Sequence, residues 1–120
     1  MNMLLENLPS IALCIGGWMV LNGLLHDIFV MRSEHGKKYD RELLRLLMDG
    51  HILITCGAVQ MLVYRGLQAH SAWACLIAGT ASISLLIYCA MIFPFLKSLV
   101  TIALNIFLLV LLVAQFFFVP

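Results

Sequence analysis

The sequence predicts an all-α membrane protein, folded as an antiparallel four-helix transmembrane bundle with a short amphipathic cytoplasmic helix leading into the second span. Of its 120 residues, 63% are hydrophobic and 11% are charged, whereas soluble domains average roughly 45–50% apolar and about 25% charged residues. Four apolar runs each approach the length of about 20 residues that a helix needs to cross the hydrocarbon core. The runs are continuous, whereas membrane barrels require alternating strands of about ten residues.

A chain of this size cannot bury so much apolar surface within itself, so the first predicted partner is the lipid bilayer. The net charge of +1 offers no basic surface for nucleic acid. The cysteines all lie in apolar runs without the spacing of a metal site, and we interpret them as small packing residues: Cys14, Cys56, Cys75 and Cys89.

The four predicted spans cover residues 8–31, 46–64, 72–93 and 98–119 and form a single domain. The first span has Asn7 as a candidate N-cap and Pro9 in its first turn, where a missing N–H does little harm. The second span is the least apolar. The third and fourth contain no charged residue, and each would be ~33 Å long as a helix.

The basic residues predict the orientation of the chain. The connection at residues 32–45 holds five of the seven, Lys97 lies between spans three and four, and only Arg65 falls on the opposite side. Because cytoplasmic loops are enriched in lysine and arginine, we expect the 32–45 loop to be cytoplasmic and both termini to be non-cytoplasmic.

The loop at residues 32–45 is the most hydrophilic segment. Gly36 is a predicted break, and Asp40 is a predicted N-cap for a helix on which Arg41, Arg45 and Asp49 share one face. We expect this amphipathic helix to lie partly at the headgroup level and to continue into the second span. Its basic side chains suit lipid anchoring, and a docking site is the alternative.

Polar residues occur at similar depth in all four spans. Each span carries a pair spaced by about one turn, roughly 5–14 Å below the cytoplasmic boundary: Asn22 and His26, His51 and Thr55, Ser84 and Tyr88, and Thr101 and Asn105. Polar groups inside a membrane usually face the interior of the bundle. The pattern therefore predicts a polar layer in the cytoplasmic half.

Two interpretations of this layer carry most weight. It is either a network that fixes helix register, at ~0.6–2 kcal/mol for each contact, or a binding site for a membrane-soluble ligand such as a quinone, sterol or lipid. The candidate ligand-binding residues are Asn22, His26, His51, Tyr88 and Asn105. Imidazole is suited to such a site because it exchanges protons near neutral pH.

A haem or metal site is a third hypothesis. His26 and His51 could be the axial ligands of a haem held between spans one and two, with Gly23 and Gly50 giving the macrocycle room. The same histidines with Asp27 or Asp49 could instead hold a divalent metal.

In two further hypotheses the chain acts together with other chains, either as a homo-oligomer or within a larger membrane complex. One is transport through an oligomer, with Asp27 or His26 as the proton-coupled group. The other is a non-catalytic accessory or assembly subunit of a larger complex, which the apolar third and fourth spans would suit. The sequence assigns no reaction.

The sequence also predicts ion pairs of Asp49 with Arg45, and of Asp27 with Arg32 or Arg45.

Overall fold

The computed structural model describes residues 2–94 and 99–118, and all regular structure within them is helical. The elements are α1 (Asn2–Glu6), α2 (Leu8–Arg32), a 3-10 turn (Glu34–Lys37), α3 (Arg41–Leu62), α4 (Tyr64–Gln68), α5 (Ala72–Ile92) and α6 (Leu99–Phe118). Three of them, α2, α5 and α6, are long and apolar enough to cross a membrane. Helix α3 is of similar length but is charged in its first half. The predicted turn at Lys97 lies outside the described residues.

The helix ends test two of the sequence predictions. Asp40 is the N-cap of α3, as predicted, and its carboxylate accepts a 2.9 Å hydrogen bond from the backbone N–H of Leu43. Helix α3 then continues to Leu62, so the amphipathic segment and the predicted second span form one helix. Asn7 precedes α2 but does not cap it through its side chain, because its amide nitrogen donates to the Met3 carbonyl at 2.9 Å.

Helices α2 and α3 are antiparallel and touch backbone to backbone. Glycines seven residues apart on each helix face one another, Gly16 against Gly57 and Gly23 against Gly50. A Cβ atom added to Gly16 would lie 2.6 Å from the Gly57 carbonyl oxygen, and one added to Gly23 would lie 2.6 Å from that of Gly50. Small residues of this kind permit the close approach by which membrane helices associate. The contact fixes the register of α3 along α2.

Helix α5 is joined at its middle to the last turn of α3 by a buried side-chain amide. The Nε2 of Gln60 donates to the Ala78 carbonyl at 3.0 Å and to the Ser82 hydroxyl at 2.9 Å. Gln60 and Ser82 are fully buried. The surrounding apolar core draws on helices α1 to α6, and its largest fully buried side chains are Leu8, Met19, Leu67, Leu85, Leu108 and Leu111.

Helix α6 is held by polar contacts at two levels. The buried Asn105 donates to the Thr101 carbonyl at 2.9 Å and contacts the Met19 sulfur of α2 at 3.5 Å. Near the other end, Gln115 Nε2 and His70 Nδ1 are hydrogen-bonded at 2.6 Å. His70 has a left-handed backbone with φ of 56°. The side chain of His70, although exposed, is therefore tied to α6.

Candidate functional site

His26 is oriented by the first turns of α3. Its ring is half-buried, and Nε2 lies 3.0 Å from the carbonyl oxygen of Leu46. A carbonyl oxygen only accepts, so Nε2 carries the proton and donates. The Nδ1 atom makes no hydrogen bond among the described residues. His26 is therefore a fixed imidazole with one ring nitrogen available.

Three helices bring His26, Asp49 and Tyr88 to one narrow crevice. Its volume is about 20 Å³, and its other walls are apolar side chains of α3 and α5, among them Leu53 and Leu85. A cavity needs roughly 10–15 Å³ to admit a water molecule, so the crevice accommodates one water-sized group. The hydroxyl of Tyr88 is buried and has no hydrogen-bond partner among the described residues.

Two carboxylates lie close to this crevice. Asp49 forms part of its wall, and Asp27 packs against the α-carbon of Gly50 with one carboxylate oxygen buried and unpaired within the described chain. The expected ion pairs of Asp27 and Asp49 with arginine are absent from the described residues, in which the single ion pair joins His35 and Glu42 at 3.9 Å. Asp27 lies in electrostatic range of His26 and of the exposed His51, and Asp49 lies in range of His26, Arg45 and Asp27.

The structure divides the predicted polar layer. His26 and Tyr88 share the crevice, whereas Asn105 is buried at the contact of α6 with α2. The side chain of His51 is exposed on the outer surface of α3, and Asn22 is half-buried on α2. Thr55 and Ser84 are exposed as well, while Thr101 is buried.

A haem between α2 and α3 does not fit this arrangement. Gly23 and Gly50 touch one another rather than leaving space for a macrocycle. Nε2 of His26 is engaged by Leu46, and His51 faces outward. A three-ligand metal site is likewise not formed, since no three His, Cys, Asp or Glu side chains among the described residues are placed to hold an ion.

Asp49 was predicted only as a candidate metal ligand or ion-pair partner, and Gln60 was not singled out. No sequence signal places Asp49 in the crevice, because its position beside His26 and Tyr88 depends on the packing of three helices. The structure makes Gln60 the polar link between α3 and α5.

An apolar groove follows the seam between α3 and α5, beyond the crevice. Its volume is about 460 Å³. Most of its lining side chains are at least partly exposed on the surface of the molecule, so the groove is open sideways; they include Thr55, Val59, Trp73, Ile77, Thr80 and Ser84.

Comparison of the chain with family models, curated proteins and solved structures gives no match. The crevice and its surroundings are therefore the features of the chain that bear on its function.

Proposed function

We propose that α3 is a fourth membrane span, which makes the chain a four-span antiparallel bundle with the 32–45 loop in the cytoplasm. Three features support this. Helix α3 runs from Arg41 to Leu62, and its 17 residues beyond the cytoplasmic segment, 46–62, cover ~26 Å at 1.5 Å per residue, which is at the short end of the range for a span. It runs along α2 in backbone contact, and five of the seven basic residues lie in the 32–45 segment. A reporter domain inserted at Lys38 should report the cytoplasm, and one at His70 the opposite side. If both report the same side, α3 is not a span.

We further propose that the crevice binds the polar end of a membrane-soluble ligand. The observation that carries this is that Tyr88, which lines the crevice with His26 and Asp49, has a buried hydroxyl without a partner among the described residues. Leaving a buried hydroxyl unpaired costs ~1–3 kcal/mol. A ligand oxygen that forms a hydrogen bond with the Tyr88 hydroxyl would recover that free energy.

The size and chemistry of the crevice restrict the ligand's polar end. A space of about 20 Å³ suits one hydroxyl or carbonyl oxygen and excludes a phosphate or a sugar. Tyr88 can donate or accept a hydrogen bond, Asp49 can accept one, and Nδ1 of His26 accepts in the tautomer that Leu46 selects. With a carboxylate in its wall and no arginine or lysine among its lining residues, the crevice favours a neutral end over an anionic one.

The test is whether a native ligand remains bound through purification. The wild type, Tyr88→Phe and Tyr39→Phe would be prepared from the same membranes in a mild detergent, and co-purifying apolar molecules quantified by mass spectrometry. Tyr39 is a matched control because it is 81% exposed. Loss of one hydrogen bond of ~1–1.5 kcal/mol corresponds to roughly five- to tenfold weaker binding, so Tyr88→Phe should retain correspondingly less.

Stability measurements separate binding from a structural role. Phenylalanine removes a hydroxyl that has no partner, so Tyr88→Phe should unfold no more easily than the wild type. Equal retention of the ligand by both tyrosine variants, or no enrichment in the wild type over a detergent blank, would refute the proposed site.

An accessory-subunit function is the second candidate, and Gly79 favours it. A Cβ atom added to this α5 glycine meets nothing within 4 Å, so packing within the chain does not require glycine there. Gly79 lines an apolar cleft of about 230 Å³ between α5 and α6, near the exposed Phe117. Such a small residue permits close approach by a helix of another chain. Gly79→Leu should then abolish co-purification of a membrane partner, and full retention would contradict this function.

A further inference from the structure

The crevice and the apolar groove occupy consecutive stretches of the same helix pair. On α3 the groove ends at Thr55 and the crevice begins at Leu53. On α5 the groove ends at Ser84, and the crevice begins at the next residue, Leu85. The two cavities share no lining residue, but they lie end to end along the α3–α5 seam, with an apolar, laterally open section next to a small polar end.

The length of this path exceeds one leaflet. Trp73, at the far end of the groove, and Tyr88, in the crevice, are fifteen positions apart on α5, which corresponds to ~22 Å along the helix. Half of the hydrocarbon core is only about 15 Å thick. A chain that fills the path must pass from the cytoplasmic half of the membrane well into the other leaflet.

From this geometry we infer that the ligand has one long, flexible apolar chain, which lies along the α3–α5 seam and reaches Trp73 when the polar end occupies the crevice. The inference rests on the proposed function of the crevice. It identifies the ligand class as a single-chain compound with a terminal hydroxyl or carbonyl oxygen, of the isoprenoid or long-chain alcohol type.

The same features exclude the alternative membrane ligands. A phospholipid places a phosphate at the interface, and the crevice offers an aspartate and no arginine or lysine to receive it. Its acyl chains also belong to one leaflet. A rigid sterol cannot follow the curved surfaces of two helices over the whole path.

Trp73 provides a direct readout, because its side chain lines the groove and is 74% exposed. The probe is a long-chain alcohol with bromine at the end of its chain, since bromine quenches tryptophan fluorescence on contact. A Trp18→Phe background leaves Trp73 as the sole tryptophan. We expect quenching that saturates as the probe is added to the protein in detergent. The same alcohol brominated beside its hydroxyl should quench far less.

Ser84→Phe is the variant that blocks the groove at its crevice end, and Ile87→Phe is its control. Both positions are exposed on α5, but Ile87 lines none of the described cavities. The saturable quenching should disappear in Ser84→Phe and persist in Ile87→Phe, while the melting temperature changes in neither. Quenching that rises in proportion to the probe without saturating, or that is equal in the two variants, would overturn the inference.

Tyr88→Phe distinguishes failure of the chain site from failure of the crevice. If Tyr88→Phe weakens saturable quenching and Ser84→Phe does not, the polar site stands and the path of the chain is wrong. If Ser84→Phe weakens it and Tyr88→Phe does not, the crevice does not hold the polar end. In that case both the proposed function and the stated orientation are wrong.

Discussion

Gly16 and Gly17 are adjacent on α2 but lie in opposite environments, so alanine at each should have effects of opposite sign. A Cβ on Gly16 would lie 2.6 Å from the Gly57 carbonyl oxygen and 2.9 Å from Cβ of Gln60, whereas one on Gly17 would meet nothing within 4 Å. Ordinary contact begins near 3.4 Å. Helices α2 and α3 would therefore have to separate by most of an ångström to accept Gly16→Ala.

The expected magnitudes follow from two opposing terms. Alanine is favoured over glycine inside a helix by ~0.8–1.0 kcal/mol, and this gain applies at both positions. Overpacking a close contact costs ~1–3 kcal/mol, and this cost applies only at Gly16. We expect Gly16→Ala to lower the free energy of unfolding by up to about 2 kcal/mol, and Gly17→Ala to leave it unchanged or to raise it by up to about 1 kcal/mol.

Unfolding by sodium dodecyl sulfate in mixed micelles, followed by circular dichroism, would measure both variants against the wild type. The Gly16→Ala and Gly17→Ala variants have the same amino-acid composition, so a difference in their stability cannot come from overall hydropathy. If Gly16→Ala is as stable as Gly17→Ala, the two backbones do not touch and the register deduced for α3 is wrong.

Three further variants test other contacts. Asp40→Ala should cost about 1 kcal/mol of stability through loss of the cap on Leu43, and Asp40→Asn should restore most of it, as measured in the same unfolding assay. Gln60→Leu should cost about 1 kcal/mol, because its two interhelical hydrogen bonds contribute on average ~0.6 kcal/mol each in membranes, while its Oε1 has no partner among the described residues; a loss above about 2 kcal/mol would contradict this. His70→Val should be destabilising, because a β-branched side chain is a genuine outlier at positive φ, whereas His70→Asn should be better tolerated; equal melting temperatures of the two variants would contradict the backbone assignment.

The sequence was sufficient to place the long helices, because length and hydropathy report directly on membrane-compatible segments. The limits of α2 and α5 lie within one residue of those expected, and Asp40 was found as a cap because carboxylates favour that position. The depth of His26 and Tyr88 could also be read along the chain, since each residue adds a fixed rise of about 1.5 Å.

The rotation of each helix about its axis could not be read in this way. In a soluble protein the apolar stripe identifies the buried face, but in a membrane both the core and the lipid are apolar. His51 was therefore grouped with His26 although it faces outward. Gly23 and Gly50 were interpreted as space for a cofactor, when their real effect is to bring two backbones together.

The contact between α2 and α3 also bears on how the chain enters the bilayer. In the proposed four-span bundle, α3 would carry Asp49 and Gln60 into the membrane, where a carboxylate alone is costly. The connection at residues 33–40 is short, and the facing glycines need no side-chain rearrangement to meet. We therefore expect the two helices to leave the translocon together as a hairpin, so that a variant that separates them impairs insertion during biogenesis before it affects the finished fold.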